Sequence, residues 1–302
     1  MVKVIGVDLG NAEVNTSEGI NFPSRVKIGI NNMNKNDIKV QHNDLDYTVG
    51  QGNSNIGLYK HRNNNYKISL LTSIAKSIQE SKIECNLVIG CPVEIFNKNK
   101  DVVEDIKETI KGWGTETIFI NEDIKVVNIK DVEVFCESGI VFENKDRFEK
   151  EKTLVIDIGG GTLDISLWDG LNLIDCKSND KMGMINLYET ILKEVNRRNK
   201  SNLNNDDAKN MIGKKEYKIK QEITDISYID TIIENFVVGL ASDINQIFPF
   251  SNVDSIQLIG GGAIALKEYF IDRKMIPKSE VNTDAFFLNA KTYKKVGELI
   301  WS

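Results

Sequence analysis

The chain has 302 residues, 41% of them apolar and 27% charged, with a formal net charge of -6 at pH 7. That is the profile of an ordinary globular protein long enough for two domains of about 150 residues, and it excludes disordered, fibrous and collagen-like chains. The acidic balance removes the whole-chain attraction that direct nucleic-acid binding relies on. No run approaches the roughly 18 apolar residues of a membrane span, so the chain reads as cytoplasmic with no membrane partner.

In chain order, VIGVDLGN (Val4 to Asn11) reads as a strand that ends on Asp8 and Gly10. FPSRVKIGI is a strand after Pro23, and YKISLLTSIAKSIQES carries apolar residues at 68, 71, 74, 75 and 78, a helical stripe. IECNLVIGCPVEIF is a buried strand ending near Gly90, and KNKDVVEDIKETIKGWG a helix stopped by Gly112 and Gly114. TETIFI and IKVVNIKDVEVF are both strands. The polar stretch 142–152, FENKDRFEKEK, is a solvated helix end or linker between domains.

LVIDIGGGTLDIS (Leu154 to Ser166) opens the second half. It is followed by a helix at INLYETILKEVNRR, an Asn/Asp-rich loop at 199–207 and a long helix at YIDTIIENFVVGLASDINQIF that stops before Pro249. VDSIQLIGGGAIALKEYFID supplies a last strand, three glycines and a helix. Strands and helices mixed in this order give an α/β layer structure. VIGVDLGN can be laid on LVIDIGGG so that Asp8 meets Asp157 and Gly10 meets Gly159, half a chain apart. Such an echo points to two similar domains, each opening on a strand that ends in Asp-x-Gly.

Cys85, Cys91, Cys136 and Cys176 form no C-x-x-C pair and lie in apolar segments, as small buried residues do. His42 and His61 fall in Asn-rich stretches and read as solvated loop residues rather than metal ligands. Neither a Walker A loop nor a Rossmann G-x-G-x-x-G is present. Three glycine turns follow strands. The first two, around Gly10–Asn11 and Gly159–Thr162, read as hairpins whose exposed N–H groups can close around phosphate oxygens. In the third, Gly260, Gly261 and Gly262 precede a helix and place N–H groups at its start. Each turn alone could be a structural turn, and Asp8 and Asp157 could each cap a turn.

Taken together, these three segments resemble the two phosphate motifs and the adenosine motif of the actin, sugar kinase and heat-shock chaperone ATPase superfamily. Within it, FPSRV, LVIGCPVEIF, VEVFCESGIVF and FFLNAKTYKKVG look like the actin-like plasmid-segregation ATPases of the ParM and Alp type and their archaeal relatives. The resemblance is patchy but spans nearly the whole chain, with the motifs in the family's order. It implies a two-domain actin-like, ribonuclease H-like ATPase fold with a nucleotide in the interdomain cleft. Domain I would cover 1–147, domain II 148–282, and the C-terminal segment 283–302 would pack back on domain I.

What the resemblance implies for the site follows position by position. Asp8 and Asp157 would hold Mg2+, through water. Gly10 and Asn11 from one domain, with Gly159, Gly160, Gly161 and Thr162 from the other, would clasp the phosphates of ATP or GTP. Glu137 in FCESG would orient the attacking water, although a carboxylate beside Ser138 and Gly139 also suits a helix start. Gly260, Gly261 and Gly262 would back the nucleoside, and Lys215 in the run Lys214, Lys215, Glu216 lies where relatives reach the sugar, a run that equally suits a solvated face. Asp164 reads equally as a helper of metal or water and as an ordinary strand aspartate.

One departure stands out: relatives often carry a lysine in the first hairpin, whereas GNAEVNTSEG has none and its second strand looks short. The implied function is a filament-forming nucleoside triphosphatase that segregates plasmid DNA through a separate, ParR-like centromere adaptor. Two rivals share the superfold. A small-molecule kinase would transfer phosphate to an acceptor, and a chaperone-like or scaffolding ATPase would need a peptide-binding domain for which motifs spread over residues 4 to 297 leave no room.

Overall fold

A computed structural model of the chain describes residues 2–30, 37–54, 57, 59–282 and 284–302. The first half lays down β1 (Lys3–Leu9), β2 (Glu13–Thr16), β3 (Asn21–Pro23), β4 (Arg25–Ile28), β5 (Ile38–His42), β6 (Leu45–Val49) and β7 (Asn53–Ser54) before α1 (Asn64–Ser77). Next come β8 (Lys82–Cys91), α2 (Val93–Lys98), α3 (Lys100–Lys111), β9 (Thr115–Ile120) and β10 (Asp123–Cys136). The ten strands form one sheet in the order β3-β2-β1-β8-β10-β9-β5-β6-β4-β7.

After α4 (Lys145–Phe148), a second sheet is built from β11 (Lys152–Ile158), β12 (Leu163–Asp169) and β13 (Asn172–Asn179). Then follow α5 (Met184–Asn199), α6 (Asn205–Met211), the small hairpin β14 (Glu216–Ile219) and β15 (Glu222–Asp225), and α7 (Ile229–Ile247). β16 (Ser255–Ile259), α8 (Gly260–Ala265), β17 (Ser279–Val281) and α9 (Leu288–Ile300) complete the chain. The second sheet runs β13-β12-β11-β16-β17.

The echo seen in the sequence is a repeat of topology. In each sheet an opening strand pairs antiparallel with its hairpin partner on one side and parallel with a later strand on the other: β1 between β2 and β8, β11 between β12 and β16. KVIGVDL and KTLVIDI are buried along most of their length because both faces of these central strands are covered, and such strands read as near-continuous apolar runs. Asp8 and Asp157 each fall one residue before the end of the opening strand, at the carboxyl edge where α/β sheets place their ligands.

α9 returns to the first sheet and packs across β1 and β8. The approach is close enough that a side chain at Gly6 would run into the Ala290 carbonyl and one at Gly90 into the Tyr293 ring, while a Cβ on Gly297 would lie 2.6 Å from Val4. Position 283, the first of the expected C-terminal segment, lies outside the described residues. α1 is buried on nearly every face, from Tyr66 through Ala75, so its core contact is wider than the stripe at 68, 71, 74 and 75. Each fully buried leucine or isoleucine there stabilises the fold by about 1.5–3 kcal/mol.

Three sequence expectations need correction. The stretch 199–207 is not loop throughout: Asn204 caps α6, its side chain accepting from the N–H of Asp207 while the Asp207 carboxylate accepts from that of Asn204. His42 is not solvated. It ends β5, 2% exposed, with Nε2 2.6 Å from Glu116, which Lys67 also reaches. His61 is equally buried, 2.5 Å from Asp105. Both histidines sit in loops of the sequence but are drawn inward by carboxylates 74 and 44 residues away. The four cysteines are buried and free.

Candidate functional site

The carboxyl edges of the two sheets face one another, and their hairpins touch. A Cβ on Gly160 would lie 2.5 Å from that of Ala12, and one on Gly161 3.2 Å from the Asn11 amide nitrogen, so only glycine admits this contact. In the second hairpin the Gly159 N–H donates to the Thr162 carbonyl at 2.9 Å. The Gly159 and Gly160 carbonyls are taken by the N–H groups of Met184 and Ile185, which begin α5. With the carbonyls turned to α5, the N–H groups of Gly160 and Gly161 donate to no acceptor among the described residues, the arrangement of an anion nest.

Around this junction the fold gathers Asp8 from β1, Asp157 from β11, Asp164 from β12 and Glu137 from the turn after β10. Burial dominates their chemistry. It raises Asp8 to about 6, where Lys60 and a hydrogen bond from Asn289 pull the other way and Asp164 adds to the rise. It raises Asp157 to about 8, helped by Asp8 and Asp164. Glu137 is pushed well above the ordinary carboxylate range by burial and then by Asp164 and Asp8, with Lys60 opposing. Asp164, 1% exposed, is raised by burial against hydrogen bonds from Ser178 (2.5 Å) and the Val93 N–H (3.2 Å). Carboxylates crowded out of water are harder to ionise, and a nearby cation offsets that.

Glu137 does not start a helix. It lies in a turn anchored by its N–H to the Cys91 carbonyl at 2.8 Å and continued by Ser138, whose φ of +61° turns the chain sharply. Ser138 is fully buried; its N–H donates to Asn289 Oδ1 at 3.2 Å and its carbonyl accepts from the Ser166 hydroxyl at 2.8 Å.

Two participants escaped the sequence reading. Lys60, from the 3-10 turn Lys60–Arg62, donates to the Leu9 carbonyl at 2.7 Å and faces Glu137, Asp8 and Asp164. It supplies the positive charge that the first hairpin lacks. No local pattern in GLYKHR marks it. Asn289, in the first turn of α9, donates to Asp157 Oδ2 at 2.5 Å and lowers the pKa of Asp8. Its signal was the pair of small residues Ala290 and Gly297 on one helix face, which announces a close approach to a sheet.

Gly260, Gly261 and Gly262 form the first turn of α8 rather than a loop before it. Gly260 has φ +83°, and a side chain there would strike the Asp157 carboxylate; one at Gly262 would strike Ile158. Lys215 is exposed, its carbonyl accepts from the Ile226 N–H, and its charge adds a little to the lowering of Asp230 by Arg273 and Tyr269. Among the described residues no three His, Cys, Asp or Glu side chains converge to hold a metal ion directly. The donor set, two strand-end carboxylates beside glycine nests, therefore fits a magnesium ion that keeps most of its waters and leans on phosphate, and not an all-protein cage.

Residues 6–139 match the family of actin-like proteins, N-terminal domain, and residues 155–272 match the C-terminal domain of the MreB-like archaeal actin homologues. Each half of the chain thus matches a family of actin homologues, and its two-domain fold is actin-like. The fold of this actin-like protein is that of solved structures of low identity. An archaeal actin homologue, Ta0583, superposes with a TM-score of 0.81 at 17% identity, over 99% of this chain and 100% of that one. A ParM subunit from a 15-stranded filament of Clostridium botulinum gives 0.80 at 20%, over 99% and 100%. The Alp12 filament subunit gives 0.71 at 20%, over 99% of each chain. Ta0583 has also been solved in complex with ADP. No curated protein matches the sequence. Among the described residues no helix is long and apolar enough to cross a membrane.

Proposed function

We propose that this actin-like protein is a nucleoside triphosphatase that holds ATP or GTP with Mg2+ between its two hairpins and couples hydrolysis to head-to-tail assembly. The observation that carries the reading is the convergence of Asp8, Asp157, Asp164, Glu137 and Lys60 between two glycine turns that touch across the cleft. The N–H groups at Gly10–Asn11 and at Gly159–Thr162 would grip phosphate oxygens from opposite sides. Asp8 and Asp157 would hold the hydrated magnesium, which supplies charge neutralisation when bound. Lys60, tethered to the end of β1, would add a second positive charge at the phosphates. Glu137 would orient the attacking water and receive its proton, a task that suits a buried carboxyl whose pKa is raised above the ordinary carboxylate range. Phosphoryl transfer asks for little beyond such positioning and charge. Gly260, Gly261 and Gly262 would back the nucleoside and Lys215 would approach the sugar. The division into 1–147 with 283–302, and 148–282, belongs to the same reading.

The ParM and Alp12 neighbours are filaments, which supports self-association of this chain by a heterologous, non-closing contact. We extend the reading to plasmid DNA segregation through a separate ParR-like DNA-binding adaptor, since an acidic chain is a poor direct ligand for DNA. Sedimentation and light scattering with ATP, GTP and their diphosphates, run beside an assay for free phosphate, test it. Assembly with a triphosphate, followed by phosphate release and disassembly, is expected. Flat scattering with both triphosphates over a broad protein concentration range overturns the filament claim, and phosphate appearing only on an added acceptor points instead to a kinase.

A further inference from the structure

Asn289 occupies a position that the nucleotide reading leaves without a task. It is 6% exposed and lies beside two carboxyl groups, those of Asp8 and Asp157. Its amide nitrogen donates to Asp157 Oδ2 and its amide oxygen accepts from the Ser138 N–H, while the same side chain lies close enough to Asp8 to lower its pKa. These groups belong to three segments: Asp8 lies one residue before the end of the opening strand of the first sheet, Asp157 at the matching place in the second, and Ser138 follows Glu137. The helix that carries Asn289 is fixed against β1 and β8 where its backbone meets Gly6 and its Tyr293 ring meets Gly90, both too close for a side chain on the strand. The amide is therefore a rigidly mounted neutral group that ties Asp157 of the second sheet to a helix fixed on the first, beside Asp8.

Geometry explains why an amide and no other group suits the place. A lysine would neutralise the carboxylates and compete with a cation, and a carboxylate would add repulsion. An amide offers N–H donors toward the aspartates and an acceptor for the Ser138 N–H, and here Asp157 takes a donor and Ser138 the acceptor beside Asp8. We propose that Asn289 is a positioning residue that sets the spacing of Asp8 and Asp157, and the turn of Glu137, for a divalent cation held between the two sheets. This rests on the nucleotide reading above. Groups that orient metal-holding side chains without touching the metal commonly matter about 10- to 100-fold in metal affinity.

The test is a Mg2+ titration of nucleotide-dependent thermal stabilisation, with a fluorescent ATP or GTP analogue measured separately in EDTA. Wild type is compared with Asn289→Ala, with Asn289→Asp, which keeps size and the acceptor for Ser138 but loses both donors, and with Val296→Ala, a buried change in the same helix far from the carboxylates. The expected result is a rise of about 10-fold or more in the half-saturating Mg2+ concentration for both Asn289 variants. Metal-free nucleotide affinity should be unchanged, and Val296→Ala should lower the melting temperature but leave the Mg2+ midpoint alone. Should Asn289→Ala fail to fold, Asn289→Asp carries the measurement. An unchanged midpoint in a folded Asn289 variant overturns the positioning role and makes the residue structural. If wild type itself shows no Mg2+-dependent stabilisation by either nucleotide, the functional reading falls, and this inference with it.

Discussion

Lys60 reaches across 51 residues of sequence to donate to the carbonyl oxygen of Leu9, one residue past Asp8, at 2.7 Å. The bond pins an ammonium at the end of β1, where burial lowers its pKa and Glu137 and Asp8 hold it up. A hairpin without a lysine thus acquires one from a 3-10 turn elsewhere in the chain.

Replacing Lys60 with alanine should therefore reduce phosphate release by about 10²-fold or more, the usual effect of removing one preorganised charge from a transition state. Circular dichroism should show the fold intact. Lys60→Arg should not restore the rate, because a planar guanidinium cannot reproduce a point donor to one carbonyl. Wild-type turnover in Lys60→Ala would assign the lysine to tethering alone.

Glu137→Gln separates binding from chemistry. Nucleotide affinity and assembly should persist, since the glycine nests and strand-end aspartates lie on other segments, while hydrolysis drops on the order of 10²-fold or more. Filaments of the variant should outlast those of wild type under pelleting. Normal hydrolysis, or loss of nucleotide binding altogether, would count against the assignment.

The 3-10 turn that bears Lys60 is clamped to α3. Asp105 accepts from Arg62 at 2.7 and 3.0 Å and sits 2.5 Å from His61, and these partners hold its carboxyl down at about 2. A depressed carboxyl pKa stabilises the fold fully above the unfolded value of 3.8 and loses that contribution as pH falls through about 2. Asp105→Asn should thus melt below wild type at pH 7, with the gap closing between pH 4 and pH 2 in a series of thermal melts. Arg62 is 60% exposed, so part of the gap should also close at high salt. A gap that stayed constant down to pH 2 would show that the ion pair is not its source.

Gly260→Ala should destabilise the chain by about 1–3 kcal/mol from its left-handed backbone alone, with more from the collision of the new methyl with Asp157. Because the collision displaces Asp157, Mg2+-dependent nucleotide stabilisation should fall together with the melting temperature. Gly213→Ala serves as a comparison: φ there is +76° but the surroundings are open, so only the backbone cost is expected. Equal behaviour of the two variants would mean that the Asp157 contact does not matter.

What the sequence determined by itself was local. A strand followed by Asp-x-Gly and a second strand is a feature of neighbouring residues, so the two hairpins, their aspartates and the repeated order of the two halves were readable, as were the helices with clear stops such as α3 before Gly112. The short β2, Glu13–Thr16, was visible for the same reason. What only the tertiary structure decided is which distant groups meet at those hairpins. Asn289 reaches Asp157 across 132 residues, and His42 and His61 turn inward toward Glu116 and Asp105, which no spacing in Asn-rich segments foretells. The physical reason is that a lone lysine, amide or histidine has no periodicity of its own. Its burial and its charge are set by the element that packs over it, and here that element is a helix or strand from elsewhere in the chain.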